Sequence, residues 1–297
     1  MAHRSSRREL FPVLPRIPPM KVKCVVTRIT AVPAAPSTRR PHDAAGGDRT
    51  VASAYQRLLA AQKPAARSAP AYSRFVNRRL GRLIAAVAWS AGLTPNAVTA
   101  ISAALTGGAI VLLVAIPTGW GQGLAVAALL LLGYAFDSAD GQVARLGATS
   151  SASGEWLDHM VDATKAAALP LALAVGLYLN DAVPVVWLLV PIAFSVISSV
   201  LFFAMILTEQ LRRQRGRVSL ADASGGSGGW LRALLVLPMD YGVHCLSFLL
   251  LGVLPLFLAA YSLIVVASAG FLALAAIAWF RELRAADASA DTIGAQA

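Results

Sequence analysis

The chain has 297 residues, 57% of them hydrophobic and 14% charged, with a mean hydropathy of +0.64. That balance is rare in a soluble globular domain and common in a polytopic membrane protein. The net charge of +11 is uneven, +14 over residues 1–82 and −3 over the remainder, and the two cysteines, Cys24 and Cys245, lie in unlike surroundings that support neither a disulfide framework nor a zinc site.

Residues 1–66 are rich in Pro, Ala, Arg and Ser and carry no long apolar period, so they read as a disordered basic N-terminal tail. A basic tail ahead of membrane spans suits the anionic cytoplasmic leaflet. It has no interleaved aromatics and no recognisable module, which argues against nucleic acid as a partner. In residues 71–90, Arg74, Arg78, Arg79 and Arg82 alternate with Phe75, Leu80, Leu83, Ile84 and Val87. This is the pattern of a juxtamembrane amphipathic helix lying in the bilayer interface.

Six apolar spans follow, over about 95–116, 122–136, 154–180, 183–207, 234–254 and 257–280. Thr94 and Pro95 suit the cap and first turn of the first span. The second continues as helix through Arg145. A Gly/Ser linker at 224–229 precedes the fifth. The expected fold class is all-α: a polytopic membrane protein with six transmembrane helices in a domain over 93–284, preceded by the interfacial helix and followed by a short tail at 285–297. Arg145, the arginines of 212–217, Arg281 and Arg284 fall on the same side of this plan as the basic tail. The opposite loops at 117–121 and 181–183 hold no Lys or Arg, so both termini are expected in the cytoplasm of an integral cell-membrane protein.

The most informative residues are Asp137-x-x-Asp140-Gly141-x-x-Ala144-Arg145, eight residues, then Gly154-x-x-x-Asp158-x-x-x-Asp162. Spacings of three and four stack each aspartate pair on one helix face, and the intervening stretch is long enough to bring the pairs together. Four carboxylates at short range are strongly unfavourable without a cation. Hard oxygen ligands suit Mg2+ or Mn2+, two ions if one carboxylate bridges. Gly141, Ala144 and Gly154 lack the bulk that would keep a flat ligand from the backbone, and Arg145 offers a fork for phosphate or carboxylate. Solvated loop acids and close helix packing explain any two of these positions, but not eight at fixed spacing.

Other polar residues leave alternatives open. Lys165, one turn past Asp162, suits contact with an anionic acceptor or snorkelling toward headgroups. Arg212 and Arg213 suit an acceptor phosphate or serve membrane topology. His159 points away from its neighbour Asp158 and suits a packing or interfacial role, and Asp240 reads as a polar helix-end residue or a packed partner.

The eight-position pattern resembles the signature of the CDP-alcohol phosphatidyltransferase family of integral membrane enzymes, with every position matched. The segment 93–99, containing Pro95, Asn96 and Thr99, looks like the one that opens the family's first span. The likeness covers about residues 72–284. It implies that an acceptor alcohol attacks the β-phosphorus of a CDP-alcohol donor such as CDP-diacylglycerol and that CMP leaves, in phospholipid biosynthesis; a soluble CDP-polyol donor is the alternative. It further implies Mg2+ or Mn2+ held by Asp137, Asp140, Asp158 and Asp162, with Asp162 also the catalytic base, and a nucleotide and diphosphate face of Asn96, Thr99, Gly141, Ala144, Arg145, Ser151 and Gly154. Lys165, Arg212 and Arg213 are the expected acceptor contacts, and a homodimer is implied by the family alone. Thr208 to Leu211 depart from the acceptor pattern of phosphatidylinositol phosphate synthases, so the acceptor is not specified. The competing class is a non-catalytic metal-binding transporter, which would carry its acids at mid-membrane on broken helices.

Overall fold

The computed structural model describes residues 49–61, 71–216 and 240–294, and its regular structure is helical throughout. Helix α1 is Val51–Ala60, and α2 is Arg78–Ser90, entered through a π-helical turn at Ser73–Asn77. Next come α3 (Pro95–Ala115), α4 (Trp120–Gly147) and α5 (Ala152–Leu179). A 3-10 turn, Val185–Leu188, leads into α6 (Leu189–Gln214). The short α7 (Tyr241–Ser247) runs into a second 3-10 turn, Phe248–Gly252, and α8 (Leu254–Gly294) closes the chain. Five segments are long and apolar enough to cross a bilayer: α3, α4, α5, Val185–Gln214 and Leu254–Asp287. The protein is therefore an integral membrane protein. Of the span expected at 234–254, the described part is Tyr241–Gly252, shorter than the roughly 20 residues a crossing needs. Residues 234–239 and the Gly/Ser linker lie outside the described residues. The last helix continues well past the end expected at 280.

Local chemistry sets the helix ends. Thr94 Oγ1 accepts from the Ala97 amide at 3.2 Å, and Pro95 follows at the first helical position of α3. At the other end of α3, the Gln122 side-chain amide lies within donor reach of the carbonyls of Leu112, Leu113 and Ile116, near where the helix runs out of backbone donors. Pro170 lies inside α5 and has no N–H for the Ala166 carbonyl four residues back. Ser198 Oγ of α6 donates to that carbonyl at 2.8 Å, and Ser195 Oγ donates to Ala167 O at 2.9 Å. The carbonyl freed by the proline thus has a donor within reach, and α5 is linked to α6 there.

The spans approach closely at small residues, as expected where lipid tails are as apolar as the side chains. A Cβ on Gly133 would lie 2.8 Å from Thr106 Oγ1 and 3.3 Å from Ser102 O, and one on Gly176 would collide with Leu113 O. The main core joins Leu113, Leu130, Leu169, Leu173, Phe248, Phe257 and Tyr261. Val111, Leu124, Leu171, Phe203, Val266 and Leu274 are exposed. In a membrane they face lipid rather than water.

The ends of the bundle are identified by their contacts. Arg213 near the end of α6 meets Glu155 at the start of α5, and Arg212 meets Glu282 late in α8. The starts of α7 and α8 differ from one another. Asp240 sits against Tyr72 and Ser73, whereas Leu254 shares a surface with Pro117, Thr118 and Asn180 at the opposite end.

The expectation of a disordered tail over 1–66 needs correction where that tail is described. Residues 1–48 and 62–66 lie outside the described residues, but Val51–Ala60 is a helix. Thr50 Oγ1 caps it, accepting from Ser53 N at 3.3 Å. Ala54 and Leu58, four apart, are buried against Ala85, Ala86, Val143 and Leu146 of α2 and α4. Small residues let this ten-residue helix seat closely, and packing supplies stability that its length alone would not. One consequence falls on Arg82. Sequence pattern assigns it to a solvated face, but it is buried, with its guanidinium 5.6 Å from the centroid of the Tyr55 ring on α1. The exposed residues of α2 include Leu80, Leu83 and Val87.

Candidate active site

The aspartates sit where α4 and α5 come together at one end of the bundle. Asp137, Asp158 and Asp162 each offer a carboxylate oxygen such that the three oxygens lie within 4.8 Å of one another. All three are half-buried. Asp140 is not part of that triplet and is more deeply buried. Its Oδ2 accepts from Thr99 Oγ1 at 2.7 Å and its Oδ1 from the Gly141 amide at 2.5 Å.

Lys165 is the internal cation of this cluster. Its Nζ donates to Asp137 at 2.5 Å, Asp162 at 3.1 Å and Ser102 Oγ at 3.1 Å. The Ser102 hydroxyl in turn donates to Gly133 O at 2.9 Å, so it links α3, α4 and α5. Asp158 has no hydrogen-bond or ion-pair partner among the described residues. One ammonium against four carboxylates leaves a formal excess of negative charge that a divalent cation would offset. The donor set is all carboxylate oxygen, the chemistry that Mg2+ and Mn2+ prefer.

A cavity of about 500 Å³ opens beside the carboxylates, within the range of small-molecule sites. Its walls bring together Asn96, Thr99, Asp140, Gly141, Ala144, Ser151, Gly154 and Asp158. Gly141 has open space over it: a Cβ there would meet only Arg145 Nη1, at 3.9 Å. Arg145 itself is exposed and lies outside the cavity lining. Gly154 is tighter, since a Cβ would stand 3.1 Å from Ser151 Oγ and 3.3 Å from Asn96 Oδ1. Ser151 caps α5 by accepting from Gly154 N at 3.1 Å.

The three expected acceptor contacts do not form one site. Lys165 is committed to the aspartates. Arg212 is buried and turned to α8, where it pairs with Glu282 at 2.5 Å. Arg213, one residue on, lines the same cavity as Asn96 and Gly141 and pairs with Glu155 at 2.7 Å and Glu209 at 3.3 Å. Consecutive residues of a helix point about 100° apart, which accounts for the divergence. His159 lies 6.2 Å from Phe202, edge to face, in a packing position.

Sequence reasoning missed Ser102 and Glu155. Ser102 was findable: Thr99, Ser102 and Thr106 form a buried polar stripe on α3 at spacings of three and four. Asp240 is both a helix cap and a packed partner: it is fully buried and accepts backbone N–H groups from Tyr72 (2.7 Å), Ser73 (3.3 Å) and Gly242 (3.1 Å).

The site described above falls inside a sequence match. The model of one protein family, CDP-alcohol phosphatidyltransferase, covers residues 92–280. No curated protein matches the chain. With well over half of its length matched, the chain belongs to the CDP-alcohol phosphatidyltransferase family and is an enzyme of that family.

Proposed function

We propose that this family member transfers a substituted phosphate group, phosphatidyl when the donor is CDP-diacylglycerol, to the hydroxyl of an acceptor alcohol in phospholipid synthesis. The observation that carries this reading is the convergence of Asp137, Asp158 and Asp162 beside a cavity walled by Gly141, Ala144 and Gly154. The aspartates, with Asp140 adjoining, would hold Mg2+ or Mn2+, two ions if one carboxylate bridges. Metal bound there would neutralise the donor diphosphate and the charge that develops on departing CMP.

The chain's own residues do the rest. Asn96, Thr99, Gly141, Ala144, Ser151 and Gly154 form the nucleotide and diphosphate face, with Arg145 beside Gly141 at its edge. Asp162 takes the acceptor proton as the acceptor oxygen bonds to the β-phosphorus and the bond from that phosphorus to the CMP oxygen breaks. Lys165 acts as a positioning residue: it fixes the Asp137 and Asp162 carboxylates from the side of α5. Arg213 belongs to the donor cavity and not to a separate acceptor phosphate site.

The membrane arrangement follows from the contacts at the two ends of the bundle. The far ends of α6 and α8 meet through Arg212 and Glu282, while α8 begins at the other end. These contacts support a sixth crossing that includes α7. The uneven distribution of Lys and Arg supports a cytoplasmic site and cytoplasmic termini. With Leu80, Leu83 and Val87 exposed, α2 suits the lipid interface. The catalytic domain is 93–284, with residues 71–90 its interfacial helix.

The test is release of CMP by the purified protein from radiolabelled CDP-diacylglycerol, or from a soluble CDP-polyol, offered with a panel of alcohols and Mg2+. Metal-dependent release with formation of a phosphodiester is expected. Absence of CMP with every donor and acceptor would overturn the proposal.

A further inference from the structure

We infer that α1 positions the donor site: the Arg57 guanidinium holds the last turn of α4, and with it the wall of the cavity that follows. The inference rests on the reading of that cavity as the nucleotide site. Helix α1 lies outside residues 92–280, so nothing in the family match covers it.

The end of α4 leaves carbonyls in need of donors. Ala144 O accepts from Thr149 N at 3.0 Å, and Arg145 O accepts from Ala148 N at 3.4 Å. Leu146 O is met from outside the turn, by Arg57 Nη2 at 3.0 Å. A cationic donor is also favoured by the negative pole of the helix. The chain then leaves α4 through Ala148 at φ 47°, ψ 38°, a left-handed conformation that a Cβ disfavours. Backbone of this kind persists where its surroundings fix it. The next three residues, Thr149, Ser150 and Ser151, line the cavity, and Ser151 starts α5. A shift of this turn therefore moves the cavity wall.

Helix α1 is itself anchored. Ala54 and Leu58 are buried against α2 and α4. Arg49 lies 5.5 Å from the ring centroid of Trp89, and the Trp89 ring packs at Gly147, where a Cβ would stand 3.0 Å from it. The turn is thus held from both sides, by Trp89 at Gly147 and by Arg57 at Leu146. Arg57 touches no reacting atom, so it is a positioning residue.

The experiment compares the purified full-length protein with R57A, R57K and L58D, the last chosen to detach α1. CDP binding in Mg2+ is measured by calorimetry and Mn2+ binding by electron paramagnetic resonance. Loss of a charged donor to one carbonyl should weaken CDP binding about three- to tenfold in R57A. L58D should lose at least as much, R57K should recover most of it, and Mn2+ affinity should hold in all three. Unchanged CDP affinity in R57A and L58D would overturn the inference. So would parallel loss of CDP and Mn2+ binding, which would signify general loosening of the bundle. A wild-type protein that binds no CDP would refute the nucleotide site itself, and the inference with it.

Discussion

Asp240 and the aspartates between α4 and α5 are supplied with hydrogen-bond donors in opposite ways. Asp240 is fully buried and accepts three backbone N–H groups, two from the segment that leads into α2 and one from the first turn of α7. Its charge is spent on holding two chain segments together. Asp137 and Asp162 share a single ammonium, and Asp158 has no partner among the described residues. A carboxylate removed from water is tolerable when donors surround it. Carboxylates left short of donors, next to others of the same sign, repel one another, and these three lie close enough to hold a metal ion. The fully buried acid is well supplied with donors, and the half-buried acids are the ones left short.

Replacing one acid of each set should break the molecule differently. Asp162→Asn is expected to have the largest effect on activity, at least about a hundredfold loss of CMP release with the fold preserved, because an amide cannot take the acceptor proton. Persistence of near wild-type turnover would remove Asp162 as the base. Asp240→Ala should act on stability instead. It strands buried N–H groups and removes a helix cap, at a cost of about 3 kcal/mol, read as a lowered thermal midpoint in detergent. Lys165→Met should destabilise by about 2 kcal/mol when divalent ions are chelated, since it leaves neighbouring carboxylates without a counter-charge. Added Mn2+ should restore the midpoint more in this variant than in wild type, and equal responses would sink the positioning role. Gly141→Leu should leave thermal stability within about 0.5 kcal/mol, because the space above it is open. It should nonetheless abolish the stabilisation that CDP gives the wild-type protein. Arg213→Ala should cost the fold under about 1 kcal/mol, as partly exposed ion pairs contribute little, read as a small fall in the thermal midpoint.

Five of the six expected spans and the aspartate motif were legible because their signals are local. Thr94-Pro95 marks the start of α3, and four aspartates at spacings of three and four must share faces whatever the tertiary packing. Lys165 was visible as a neighbour of Asp162, but its commitment to Asp137 depends on how α4 and α5 dock. The divergence of Arg212 and Arg213 likewise depends on α8 and α5, which sequence cannot orient. Helix α1 was missed because alanine and arginine in a proline-rich tail read as disorder. Its signal was faint: Thr50 as a cap, then Ala54 and Leu58 one turn apart. Missing α1 also misplaced Arg82, because the face it occupies is polar only while nothing packs on it.

The most direct test of the contrast is a Mn2+ titration, followed by electron paramagnetic resonance, of wild type, Asp158→Ala and Asp240→Asn. Asparagine can still cap α7 and accept a backbone hydrogen bond, so the second variant keeps its fold. The account predicts that wild type and Asp240→Asn bind Mn2+ with the same affinity and that Asp158→Ala loses binding by tenfold or more, roughly the energy of one charged ligand contact. Equal Mn2+ binding by all three proteins would contradict it.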